Sequence, residues 1–74
     1  MKVRYNKKID VAYIELEVQR KDSDVALTYT CDAQQIHSLI NLEFDVSGKL
    51  LGLEVLDASS VLPSELIKGA IIKK

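Results

Sequence analysis

Residues Ile40–Ala58 read INLEFDVSGKLLGLEVLDA, and their pattern sets the architecture of the whole chain. Ile40, Leu42 and Phe44 alternate with Asn41, Glu43 and Asp45, the period of a strand with one buried face. Leu51, Leu53 and Val55 repeat that period, with Leu50, Gly52, Glu54 and Leu56 on the other side. Between the runs, Asp45-Val46-Ser47-Gly48 places Asp where a type I turn favours it and Gly where a left-handed residue is needed. The segment reads as an antiparallel hairpin, in which two registers compete. A three-residue loop with a bulge pairs Phe44 with Leu50 and sets Glu54 on the face of Ile40 and Leu42. A four-residue loop pairs Leu42 with Leu51 and Ile40 with Leu53, keeping that face apolar. Burial selects the second, because a slip of one residue turns every side chain to the wrong face. Glu43 then faces Leu50 and Glu54 faces Leu39, so the two glutamates stand apart.

In that register Leu50 and Leu56 share the outer face with Gly52. An apolar face that contains a glycine invites close approach by another element, and the C-terminal helix or a partner chain is expected to cover it.

Outward from the hairpin, Val3 and Tyr5 mark a short first strand, and Asn6–Asp10 a polar connection that includes Lys7-Lys8. Val11–Val18 shows the cleanest alternation, with Ala12, Ile14, Leu16 and Val18 opposite Tyr13, Glu15 and Glu17. Gln19–Asp24 reads as a charged loop. Val25, Leu27, Tyr29 and Cys31 then define a third strand, followed by a turn or single helical turn at Asp32–Gln35. After Asp57 the strand period stops. Ser59 or Ser60 can cap a short helix, Pro63 is tolerated in its first turn, and Gly69 is placed to end it. Ala70-Ile71-Ile72 is too apolar for a free tail and is expected to pack, on the sheet or on a neighbouring subunit. The prediction is a single α+β domain over residues 1–74. Its antiparallel sheet has four or five strands within 1–57, and one short C-terminal helix and a tail occupy 58–74.

At 74 residues and 8.3 kDa, such a domain should expose about 4,600 Å² when folded. So small a core leaves little stability to spare, and dimerisation is the expected remedy. Ten Lys and Arg against eleven Asp and Glu give a net charge of −1 with no basic stripe, which argues against nucleic acid as a partner. Lys7-Lys8 and Lys73-Lys74 read as solvated ends. One cysteine excludes an internal disulfide and fits a reducing compartment. No apolar run approaches the roughly 18 residues of a membrane span, so a cytoplasmic protein is expected.

The strongest resemblance is carried by Met1-Lys2-Val3-Arg4-Tyr5, by Ile9-Asp10-Val11-Ala12-Tyr13-Ile14-Glu15-Leu16, by Ile40-Asn41-Leu42-Glu43-Phe44-Asp45, and by Gly48–Ala58. These segments resemble the bacterial and archaeal domain-of-unknown-function family 2283. The likeness covers most of the chain except the central loop and the tail. Ala12 stands where the family usually has a larger aliphatic residue, and Thr30–Leu39 is longer than is typical. The resemblance implies a small β-rich domain with no established activity. Some members are encoded beside small toxin-like proteins, so it also implies an antitoxin or partner-binding role.

Candidate chemistry is sparse. Cys31 and His37 are the one pair that could form a thiol nucleophile and its base, but a dyad needs hydrogen-bond contact and a third group to orient the imidazole. A structural thiol and a surface imidazole account for them better. One His and one Cys cannot fill a tetrahedral metal shell. Asp57, at the junction of strand and helix, is expected to cap the first free helical amides, and Asp10 to be a turn residue. Tyr5, Tyr13 and Tyr29 are expected to pack on the sheet with wet hydroxyls. No catalytic residue, metal or cofactor is therefore expected. The leading reading is a non-enzymatic interaction module that forms a homodimer, with Leu50, Gly52, Leu56, Leu62, Leu66, Ile71 and Ile72 as candidate interface. The alternative is an antitoxin-like protein that neutralises a small toxin partner.

Overall fold

The computed structural model describes residues 1–16 and 21–73, the last three by their backbone. Glu17, Val18 and the start of the charged loop lie outside the described residues. The strands are β1 (Lys2–Asn6), β2 (Val11–Glu15), β3 (Leu27–Thr30), β4 (Ile40–Phe44), β5 (Leu50–Leu56) and β6 (Ile71–Lys73). They form one sheet in the order β3-β4-β5-β2-β1-β6. β3, β4, β5, β2 and β1 are antiparallel, and β6 adds to the free edge of β1 in parallel. The expected α+β class and antiparallel sheet are present. The apolar tail packs by its backbone on its own sheet.

The hairpin keeps the shorter of the two expected loops and beyond it follows neither expected register. Phe44 lies opposite Leu50, but the register shifts beside it, so Glu43 meets Gly52, Leu42 meets Leu53 and Ile40 meets Val55. The expected pairs Leu42–Leu51 and Ile40–Leu53 do not form. Leu51 is the extra residue, and its carbonyl accepts from the Leu16 amide at 2.9 Å. Turn chemistry explains the short loop. Gly48 sits at φ +87°, and the Asp45 carboxylate accepts the amides of Ser47 and Lys49, each at 2.9 Å. These donors, the Lys49 amide foremost, hold the Asp45 carboxyl below its ordinary pKa. The bulge then restores an apolar face that the short loop alone would have lost.

Pairing sorts the residues into rows that run across the sheet. On the apolar face Tyr5, Ala12, Val55 and Ile40 form one row, and Val3, Ile14, Leu53, Leu42 and Tyr29 the next. The first row is roofed: Tyr5, Ala12 and Val55 are buried together with Ala58, and Val61, Leu62, Ile67 and Ala70 pack on them. The roof is α2 (Ala58–Val61) and α3 (Ser64–Lys68), so the single expected helix is in fact two. Leu62 leaves the helical conformation between them, and Pro63 caps α3. The residue before a proline is pushed to extended backbone, which breaks the run there. Gly69 ends α3 as expected. A further turn, α1 (Ala33–Ile36), is capped by Asp32, whose carboxylate accepts the Gln34 amide at 3.0 Å.

Candidate functional site

The opposite face of the sheet is polar, and its residues follow from the same pairing. Lys2, Glu15, Gly52, Glu43 and Thr28 form one row, and Arg4, Tyr13, Glu54, Asn41 and Thr30 the next. The hydroxyl of Tyr13 donates to Glu43, so the ring crosses Gly52. A Cβ built at Gly52 would lie 2.6 Å from the Ile14 carbonyl and 2.7 Å from the Tyr13 hydroxyl. Gly52 is there because the tyrosine needs its space. Asn41 donates to Glu54 at 2.8 Å and accepts from Thr30 at 2.7 Å. Arg4 Nε donates to Glu15 Oε1 at 3.1 Å. Arg4, Tyr13, Glu15, Glu43 and Glu54 of these rows line a groove of about 540 Å³, together with Tyr5, Asn6, Ile9, Val11 and Asp22.

Beside the groove, Asp10 joins three parts of the chain. It occupies the left-handed region at φ +54°. Tyr5 donates to Oδ1 at 2.7 Å, the Ser59 amide donates to Oδ1 at 3.0 Å, and the Ser59 hydroxyl donates to Oδ2 at 2.7 Å. The Asp10 carbonyl also accepts the Ala58 amide at 3.0 Å. The Ser59 hydroxyl, then Tyr5, hold the Asp10 carboxyl below its usual pKa, and the same contact raises the Tyr5 phenol. This corrects the expected capping residue. Asp57 stands at the head of α2 in a left-handed conformation with no side-chain cap, and Asp10 serves α2 from the other hairpin. Ser59, expected as a cap, is the residue that Asp10 holds.

The candidate interface residues do not make one surface. Gly52 is buried beneath Tyr13 of its own chain, and Leu56 is half-buried on the polar face beside Val11. Leu62 packs into the roof on the opposite face, Leu66 is half-buried on α3, and Leu50 sits at the hairpin rim. Ile71 and Ile72 are placed by backbone alone, in β6. The cover expected over Gly52 is thus Tyr13, and the helices roof the other face. Cys31 is half-buried, and His37 is exposed in a left-handed cap of α1. Among the described residues no group of His, Cys, Asp or Glu is arranged to hold a metal ion. The groove went unread in the sequence because the expected register is two residues from the observed one, through a shorter loop and the bulge. In the observed register Glu54 faces Asn41 and Tyr13 rather than Leu39, and Glu43 faces Gly52 rather than Leu50.

Fold and site together define a small α+β domain with one partly roofed apolar face and one acidic, grooved face. A family model described as "Protein of unknown function (DUF2283)" matches residues 2–59, and the chain belongs to that family. The matched span runs from the first strand to Ser59, so it holds every residue of the Asp10 cluster. No curated protein and no solved structure matches the chain. Among the described residues no helix is long and apolar enough to cross a membrane.

Proposed function

We propose that the protein is a non-enzymatic interaction module that works as a homodimer, with a second copy seated on the unroofed half of its apolar face. The observation that carries this reading is the contrast between neighbouring rows. In the roofed row Tyr5, Ala12 and Val55 are 8%, 0% and 1% exposed. In the next row Val3, Ile14, Leu53 and Leu42 are all half-buried, and Tyr29 is 57% exposed. Leu27, on the same edge strand as Tyr29, is 60% exposed. Contiguous apolar surface of this kind is what an interface buries.

Among the described residues β3 leaves one edge of the sheet open, which gives a second copy backbone groups to pair with. A small toxin seated on the same row is the alternative occupant. Analytical ultracentrifugation at micromolar concentration should find a dimer, and the double variant Leu27→Lys, Tyr29→Lys should be a folded monomer. A wild-type chain that sediments as a monomer throughout that range rules out the homodimer.

A further inference from the structure

The outer edge of β3 pairs with no strand among the described residues, and its backbone pattern fixes what fits it. The Cys31 amide donates to the Ile40 carbonyl at 2.9 Å, one step beyond the Thr30–Asn41 pair. In an antiparallel ladder, hydrogen-bonded pairs alternate with non-bonded ones, so Tyr29 and Leu27 turn their amides and carbonyls towards β4. Thr28 and Thr30 turn theirs outward. The outward stretch has defined ends. The Ala26 amide donates to the Phe44 carbonyl at 2.8 Å, and the Asp32 carbonyl accepts the Gln35 amide at 3.1 Å. We propose that this edge pairs antiparallel with the same edge of a second copy, about a two-fold axis at Tyr29, so that two sheets join into one. The proposal rests on the homodimer reading and gives that dimer its axis.

Three features select a second copy as the occupant. The edge is self-complementary: about an axis at Tyr29, Thr28 falls opposite Thr30 of the partner subunit, and the two exchange a pair of backbone hydrogen bonds. The axis makes that pairing twice, so every outward amide and carbonyl of both threonines is satisfied. The edge is also unguarded. All of Leu27–Thr30 is exposed and uncharged, without the lysine or proline that keeps a natural edge from pairing. β6, at the other end of the sheet, is a three-residue strand that includes Lys73. Pairing β3 with β6 would be head-to-tail and leave an edge of each kind open, whereas β3 with β3 closes at two copies. Finally, the open apolar row runs to this edge. An axis normal to the sheet keeps both apolar faces on one side, so the row from Val3 to Tyr29 continues into the partner's row. Tyr29 and Leu27, 57% and 60% exposed, lie where the copies meet, Tyr29 against the partner's Tyr29 and Leu27 against the partner's Cys31.

A proline in the edge tests the contact. Thr28→Pro deletes an amide that β4 does not use, so the chain's own ladder stays whole, and proline is tolerated at a sheet edge. The variant should be a folded monomer, judged by its amide NMR spectrum, while the parent sediments as a dimer. Cross-linking reads the register independently of that variant. Leu27→Cys sets a thiol opposite the partner's Cys31 in a non-bonded pair, where Cα atoms lie about 4.5 Å apart and a disulfide fits. Within one chain the two positions are about 13 Å apart along the strand, too far to bridge. Mild oxidation should yield a covalent dimer of Leu27→Cys and none of Leu27→Ser. The Thr28 and Thr30 amides should also exchange about tenfold slower in the parent than in the Leu27→Lys, Tyr29→Lys chain. A dimeric parent whose Thr28→Pro variant stays dimeric, or whose Leu27→Cys variant does not cross-link, overturns the edge contact and leaves a copy seated on the face alone. A monomeric parent overturns the edge contact and the homodimer together, and leaves the edge to a strand of another protein.

Discussion

Gly48 and Gly52 stand four residues apart in one hairpin and answer to different constraints. Gly48 needs its backbone freedom: φ is +87°, and a Cβ there would meet nothing within 4 Å. Gly48→Ala should therefore cost about 1 kcal/mol, the penalty of a left-handed L-residue, with no change in packing. Gly52 needs empty space above it. Gly52→Ala would force a Cβ against the Ile14 carbonyl and the Tyr13 hydroxyl, and should cost about 1–3 kcal/mol as an overpacked site. Urea denaturation measures both, and a loss in Gly52→Ala no larger than in Gly48→Ala would contradict the role given to Tyr13. The need for Gly48 is legible in the Asp-x-x-Gly spacing, because turn chemistry is local. The need for Gly52 is not, because Tyr13 belongs to another strand and reaches it only through the β2–β5 pairing.

At the scale of elements, α2 has four residues and cannot hold a helical conformation by itself. Its anchor is Asp10, and that makes its contribution depend on acid. The folded pKa of Asp10 lies below the unfolded one, so its stabilisation is present above the ordinary carboxylate range and is lost as pH falls through the lowered value. Asp10→Asn should be less stable than the parent at pH 7, and the gap should narrow as pH falls from the ordinary carboxylate value, about 4, towards the lowered one. Asp45 has the same sign, so the variant keeps part of its acid sensitivity. Tyr5 has the opposite sense. Its raised pKa gives stability that is present below about pH 10 and is lost as pH rises through the folded value. Denaturation midpoints at pH 3 and pH 7 decide the Asp10 prediction, and a gap at pH 3 as wide as at pH 7 refutes it. Strand positions were legible because alternation survives whatever the strands pair with. The anchor was not: Asp57 and Asp10 both precede plausible turns, and only a contact spanning 49 residues distinguishes them. Pro63 was legible as a helix-start residue, and the break that it imposes on Leu62 follows from the same ring.

For the whole molecule, the two sheet faces divide the labour, and the helices cover only part of the apolar one. A dimer built on the open row ties folding to association, so the thermal midpoint should rise with protein concentration, by a few degrees for each tenfold increase. A midpoint independent of concentration would contradict the linkage, and the Leu27→Lys, Tyr29→Lys variant should show none. The class of fold was legible from hydrophobic period alone. How much of the face the helices roof was not, because that depends on where Pro63 turns the chain back.

The strand order has a kinetic consequence. β1-β2 and β4-β5 are local hairpins that can close within microseconds, yet β2 and β5, their neighbours in the sheet, are distant in sequence. The rate-limiting event in folding is therefore the docking of one preformed hairpin on the other, against the loop entropy of the chain between them. Asp10 and Ser59 lie on either side of that seam, so their bond can form only as the hairpins dock. Stopped-flow rates of Asp10→Asn place it in time: slower folding puts the bond at the barrier, and faster unfolding alone puts it after.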